Sequence, residues 1–434
     1  MAHAGRTLCG LRPFFMAAFL ASAHFLARRF GPISALQSAP MSALQPHPEP
    51  TAPAAAAPHA PALQRTPLYA LHQELGARLV PFAGYELPVQ YQGPGQGLLA
   101  EHLHTRASAA LFDVSHMGQV RLHGPDAAAA LETLLPMDVL GLGPNQQRYG
   151  LLLNDAGGIL DDLMFLRSGA YLGLVLNGAC KAADLAHLQQ RIGARCSIEA
   201  LPEQALLALQ GPLAAVALQR LLPGAEKLIF MQGAALAWQG HALTLTRSGY
   251  SGEDGFEISL PAPAAEAFAR ALLAQPEVKP AGLGARNSLR LEAGLCLYGQ
   301  DLDTSTTPAE AALGWAVQKV RRSGGARAGG FPGAERVLAE LEGRQPLARR
   351  RVGLIASERV PVREPALLQS PAGEAVGQVS SGLLSPSLNQ PIAMGYVAPE
   401  YAAVGTALQA MVRGKPVPMT VCALPFVPTR YHRG

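Results

Sequence analysis

The chain has few of the features that mark redox, metal or nucleotide-dependent enzymes. Its five cysteines, Cys9, Cys180, Cys196, Cys296 and Cys422, are scattered and never form a CxxC pair, which argues against a disulfide framework and a zinc site. The His102/His104 pair would point to different sides of a helix and has no third ligand nearby, so no metal centre is expected. Beyond the N-terminal extension no apolar run reaches about 18 residues, so a membrane-spanning helix is not expected. Acyl-transfer signatures such as GxSxG are missing. The glycines of RSGYSGEDGFEIS, residues 247–259, lack both the Lys-Ser/Thr of a phosphate cradle and the spacing of a dinucleotide fingerprint. The net charge of +4 is too modest to argue for nucleic acid.

Acidic residues are missing from the N-terminus: none precedes Glu49, whereas Arg6, Arg12, Arg28 and Arg29 are present. Arg-rich, acid-poor composition favours a mitochondrial address, with the matrix as destination. The run Phe14–Ala27 also resembles the core of a secretory or plastid signal, so a plastid stays as the alternative. From Pro40 to Pro61 the chain is mostly Ala and Pro. Residues 1–65 are therefore expected to be a targeting peptide and a disordered linker.

What remains is ample for folding. With 434 residues, 49% hydrophobic and 15% charged, two or three domains are expected. Thr66-Pro67 reads as a helix start, with a helix over 67–76. Residues 81–95, rich in Pro and Gly, are expected as a packed loop. Helices are expected over 99–108 and 125–135, with LFDVSHMGQVRLHG between them as one strand carrying His116. The irregular alternation of periods favours an α+β fold over a doubly wound sheet. AGLGARNSLRLEAGLCL, residues 281–297, reads as a further helix. Basic stretches lie near Arg321 and Arg349, where they could attract an acidic partner. From 346 to 434, short apolar runs broken by Pro and Gly predict a small β barrel or sandwich, leaving 66–345 as the α+β body.

The most informative segment is YGLLLNDAGGILDDLMFL, residues 149–166. Two short apolar runs flank Asn-Asp-Ala-Gly-Gly, a hairpin signal. Asp161 and Asp162 lie within the second run, and neither face of that strand is polar. At least one carboxylate must sit in apolar surroundings, which costs several kcal/mol unless a partner or ligand compensates. A backbone amide or an Arg could satisfy it; a ligand-binding acid or base is the sharper expectation. Glu257 sits in a second apolar strand after the Gly-rich loop, beside Tyr250. Arg286 and Arg290 fall one turn apart, and Arg290 could pair with Glu292 or another acid. Acids in strands, one Arg, and Tyr149 and Tyr250 as stacking surfaces suit a flat heterocycle with amide-like donors and an anionic tail.

On TPLYALHQELGARLVPFAGYELPVQY, LFDVSHMGQV, GGILDDL, SGYSGEDGFEIS, GARNSLRLEAGLCLYGQDLD, TTPAEAALGW, SSGLLSPSLNQPIAMGYV and PFVPTRY, the chain resembles the aminomethyltransferase family, the T-protein of the glycine cleavage system. The similarity covers essentially all of 66–434. It implies three subdomains in a cloverleaf around a central folate cavity, two α+β and one C-terminal β barrel. It also implies transfer of an aminomethyl group from the lipoyl arm of H-protein to tetrahydrofolate, yielding 5,10-methylenetetrahydrofolate, ammonia and dihydrolipoyl H-protein. Tetrahydrofolate is then a co-substrate, with no metal or flavin, and lipoyl-carrying H-protein is the partner, with no nucleic acid or membrane. By residue matching, Asp162 is the principal catalytic carboxylate, with Asp161 beside it. Glu257 would bind the pterin, and Arg286 would pair with the pterin or with Glu257. Tyr149, Tyr250, Met117 and Asn177 would line the pocket, with Tyr431 closing it. Ser251 stands where the family commonly has Thr. A folate-dependent demethylase and a non-catalytic folate binder are the rival readings.

Overall fold

The computed structural model describes residues 62–434. The expected targeting peptide, and nearly all of the expected linker, lie outside the described residues. Three large apolar clusters organise the rest, each against its own sheet.

One core belongs to an antiparallel five-stranded sheet, in the order 147–153, 159–167, 172–176, 118–123, 197–200. Leu163 and Phe165 on one face of its second strand enter that core, packed with Leu151, Leu174 and Leu188. A second core covers the outer face of a six-stranded sheet, in the order 233–238, 241–246, 255–261, 204–210, 109–113, 278–280. Strand alternation sorts the side chains of this sheet. Leu207, Leu209, Phe256 and Ile258 pack outward with the helix Ala262–Leu273, whereas Phe112, Leu206 and Ala208 form a smaller inner cluster with Ala285 and Leu289. The two inner faces enclose a cavity of about 60 Å³ lined by Met164, Leu166, Val175, Leu206, Thr246 and Glu257.

The C-terminal segment closes into a six-stranded barrel running from Arg350 to Cys422, with Leu354, Val379, Ala393, Leu408 and Val421 inside. The α+β class and the C-terminal barrel are thus both present, and closure decides between barrel and sandwich. The helix Leu283–Glu292 joins barrel to body: Arg290 reaches Asp301 at 2.7 Å and Ser381 at 3.0 Å, and Glu292 accepts from Ser385 and Ser387.

Two local expectations change. Residues 81–95 are not simply a loop, because Ala77–Phe82 and Tyr85–Tyr91 form a hairpin, with Gln64–Arg65 added as a third, parallel strand. Ala83 and Gly84, at φ 48° and 82°, form its turn. LFDVSHMGQV is not one strand either: Ala109–Asp113 and Gly118–His123 belong to different sheets. The Asp113 carboxylate accepts the Ser115 N–H at 2.9 Å, bending the chain where it crosses between sheets.

Candidate active site

The hairpin 147–153/159–167 forms as its turn chemistry dictates. Asn154 Oδ1 accepts the N–H groups of Ala156 and Gly158, and its Nδ2 donates to Thr304 O at 2.9 Å. Asp161 and Asp162 then take opposite faces. Asp161 is fully buried and directed toward the core side, where the Asn177 N–H and Nδ2 donate to it at 3.2 and 2.8 Å. Asp162 shares the other face with Tyr149, Met164 and Leu166, the face turned toward the six-stranded sheet.

Asn177 connects the two acids, since its Nδ2 also lies 2.9 Å from Asp162 Oδ1. The Tyr149 side chain sits against Asp162. Burial, reinforced by the charge of Asp161, pushes Asp162 up to about 7 from the usual carboxylate range. A carboxyl poised near neutrality can hold or release a proton at working pH. Burial and the Asp162 charge raise the Tyr149 phenol in turn, so it stays protonated.

The facing wall carries the remaining polar groups. Glu257, on the strand Gly255–Pro261, accepts from Ser248 Oγ at 2.6 Å and otherwise lines the cavity. Arg286 lies in the first turns of the helix Leu283–Glu292, its guanidinium 4.7 Å from the centre of the Tyr250 ring. It makes no hydrogen bond or ion pair with another side chain among the described residues, and burial lowers its pKa against the opposing pull of Glu257. A desolvated cation without an internal counter-ion is a site for an anionic or carbonyl-bearing ligand. The Tyr250 hydroxyl donates to Cys296 O, and both Asp162 and Arg286 act on it electrostatically. Its loop requires glycine at Gly249, where a Cβ would come within 1.9 Å of Gln210.

Met117 packs with Val175 against the inner cluster. Tyr431 belongs to a tail that leaves the barrel and returns to the body. Its ring stacks on Phe230 at 4.1 Å, while Arg430 N–H donates to Gly252 O, so Tyr431 joins the loop that carries Tyr250.

Several residues singled out in sequence turn out to be structural. Arg290 is 1% exposed and takes another acid, Asp301, as its partner, while Glu292 meets Arg106 and His102. His116 occupies the turn between sheets, edge-on to Phe82, and burial together with Arg286 lowers its pKa. The basic stretches are partly tied into the fold, though Lys319 and Arg350 stay exposed. Arg321 and Arg327 grip Glu132, and Arg351 is buried against Ala311 O. Among the described residues no cluster of metal-ligating side chains exists.

Other residues at the site escaped the sequence analysis. Ser248 holds Glu257, Asp184 touches Asp161, and Trp315, 59% exposed, packs on the Tyr149 ring at 5.2 Å. Only for Ser248 was there a signal, its place two residues before Tyr250 in the Gly-rich loop.

Comparison with known proteins agrees with this architecture. The family model described as the GCVT N-terminal domain matches residues 68–321, and that of the glycine cleavage T-protein C-terminal barrel domain matches 349–428. The mitochondrial aminomethyltransferase of Homo sapiens is 46% identical over 379 residues, 85% of this chain and 91% of that protein. The corresponding Dictyostelium discoideum protein is 40% identical over 388 residues, 86% of this chain and 94% of its own length. A crystal structure of glycine cleavage system aminomethyltransferase T from Bartonella henselae superposes with a TM-score of 0.79 at 45% identity, covering 85% of this chain and 99% of that one.

Proposed function

The chain belongs to the glycine cleavage T-protein family of aminomethyltransferases, and on that premise we propose that it moves the aminomethyl group of lipoyl-bound H-protein onto tetrahydrofolate. The products are then 5,10-methylenetetrahydrofolate, ammonia and dihydrolipoyl H-protein. Its relatives are mitochondrial from slime mould to human, and the chain is a mitochondrial protein; the plastid alternative is not needed. Within it we assign 66–345 to the folate-binding body and 346–434 to the barrel.

The observation that carries the proposal is Asp162: a carboxyl held near neutrality on the strand face it shares with the cavity-lining Met164 and Leu166, acting together with an unpaired Arg286 on Tyr250. Each group has a role that follows from its chemistry. Glu257 can accept paired N–H groups of a pterin, with Ser248 fixing its other side. Arg286 offers five donors to carbonyl or anionic oxygens, its plane set by Tyr250. Asp162 can orient the folate amine and take a proton as the methylene carbon passes through an iminium-like state, and its ionised form stabilises that cation. Asp161, which is fully buried, acts on this centre through Asn177. Met117, Tyr149 and Tyr250 would supply the pocket walls, and Tyr431 would close the loop end.

Reconstitution tests this directly. Wild-type protein given aminomethylated H-protein and tetrahydrofolate should release ammonia; folate binding without release would end the transferase reading for this chain. Folate binding can be followed separately, because Trp315 is exposed beside Tyr149 whereas Trp238 is buried against Phe268. Folate should change Trp315 emission, and Arg286→Ala should weaken that titration by about tenfold or more.

A further inference from the structure

One buried acid next to the site has no task in the mechanism so far. Asp184 stands in the first turn of the helix Lys181–Ile192, is 3% exposed, and has a buried Oδ2 that no donor reaches among the described residues. Its carboxyl lies in hydrogen-bond contact with that of Asp161, which is fully buried. Two carboxylates in contact away from water repel each other, and sharing one proton turns the contact into an O–H···O⁻ bond. The other partners of Asp161 are donors, the Asn177 N–H and Nδ2. The charge therefore belongs on Asp161 and the proton on Asp184. Burial and the nearby Asp161 charge raise the Asp184 carboxyl well above the ordinary range, in keeping with this assignment.

The surrounding groups do not supply a competing cation. Cys180, its thiol pushed up by burial and by Asp161 and Asp184, and the Tyr298 phenol, raised by burial, face the pair. Asp162 adds a like charge, with Tyr149 against it. On the helix itself, Lys181 turns to Tyr85 Oη at 2.8 Å and His116 O at 2.9 Å, while burial and the charge of Arg191 lower the His187 pKa against the opposing pull of Asp155.

We propose that Asp184 is a positioning residue that, holding a proton, donates to Asp161 and thereby fixes, through the Asn177 amide, the direction of the Asp162 carboxylate. The assignment rests on the proposed role of Asp162 only for its kinetic consequence. The static consequence is a protonated carboxyl inside the protein at alkaline pH.

Two measurements separate these. In Asp162→Asn protein the infrared spectrum at pH 8 should contain a protonated-carboxyl C=O component that Asp184→Asn removes, read as the difference between the two proteins, in which the carboxyls of Glu101 and Glu364, also raised by burial, cancel. Absence of that difference band overturns the proposal whatever reaction the enzyme performs. In single-turnover transfer, Asp184→Ala should lower the rate about tenfold or more, as expected when a catalytic group is misaligned. Asp184→Asn, replacing one neutral donor by another, should rescue most of that loss and hold the acid limb of the pH profile within about 0.3 pH unit of wild type. A limb displaced to lower pH by about half a unit or more would mean that Asp184 carries charge, and full activity in the Ala variant would mean that it positions nothing. Either result sinks the idea, and the infrared test stands even if the Ala variant does not fold.

Discussion

Asp162 is a residue the fold would be more stable without. Its carboxyl titrates near 7 in the folded protein, because burial and Asp161 resist its charge, but in the ordinary range near 3.8 once the chain unfolds. Between those pH values the unfolded state binds fewer protons than the folded one, so folding stability falls as pH rises through the window and the full cost is present above about 7. Asp162→Asn removes that cost. The variant should be more stable than wild type at pH 8, by on the order of 2 kcal/mol, with the gap closing toward pH 4. Denaturant melts at the two pH values check this, and a gap independent of pH would contradict it. Turnover should nevertheless fall by about 10² or more, the usual conflict between stability and a working acid. The neighbours of Asp162 show what sequence can and cannot reveal. An acid pair in an apolar strand is visible in one dimension, because strand alternation gives it no polar face. The arrival of Asn177, Asp184 and Trp315 around that pair depends on tertiary packing alone.

Among the elements, the hairpin was legible in full and its neighbours less so. Asn154 and the two glycines carry their own turn chemistry, so residues 149–166 specify both strands locally. The hairpin at 77–91 was hidden because its prolines suggest a loop, yet Pro88 falls opposite a register shift, where the ladder is already interrupted. LFDVSHMGQV deceived in the other direction: its strand-like alternation and β-branched content concealed a change of sheet at Asp113. The hairpin that carries Asp162 also depends on what its turn touches. A Cβ at Gly158 would come within 1.9 Å of Thr304 O, and Ile159 N–H donates to Thr306 O at 3.0 Å. Gly158→Val must therefore push the turn off the 304–306 segment. Unfolding should cost about 1–3 kcal/mol less than in wild type, and Asp162 should shift with its strand, so activity falls along with the melting temperature. A variant of wild-type stability would show that this contact is soft.

At the scale of the whole molecule, barrel and body meet through buried polar networks beside a small apolar cluster of Leu291 with Ile392 and Met394. Glu292, fully buried, lies 3.1 Å from His102 and 2.8 Å from Arg106 on the body side, and accepts from Ser385 and Ser387 on the barrel side. A second network, Arg290 with Asp301 and Ser381, runs beside it. This explains why ARNSLRLEAG is rich in charge on a helix that is almost wholly buried: its polar residues join the two parts of the chain. The arrangement makes docking sensitive to acid. Burial alone would raise the Glu292 carboxyl, but the His102 hydrogen bond and charge, with the Ser385 and Ser387 donors, outweigh it and hold the group at about 2. A carboxyl depressed in the folded state contributes stability above its unfolded value, near 4.5, and loses that contribution as pH falls toward 2. Breaking the network by Glu292→Ala leaves His102 and Arg106 buried without this acid, at a cost of about 3–5 kcal/mol. The variant should melt earlier at pH 7 and expose the exposed 342–346 segment between body and barrel to protease, while the wild-type protein should show the same susceptibility only as pH falls below about 4. If the two proteins shared one cleavage pattern and one melting temperature at pH 7, the barrel would be held by apolar contact and the polar seam would be incidental.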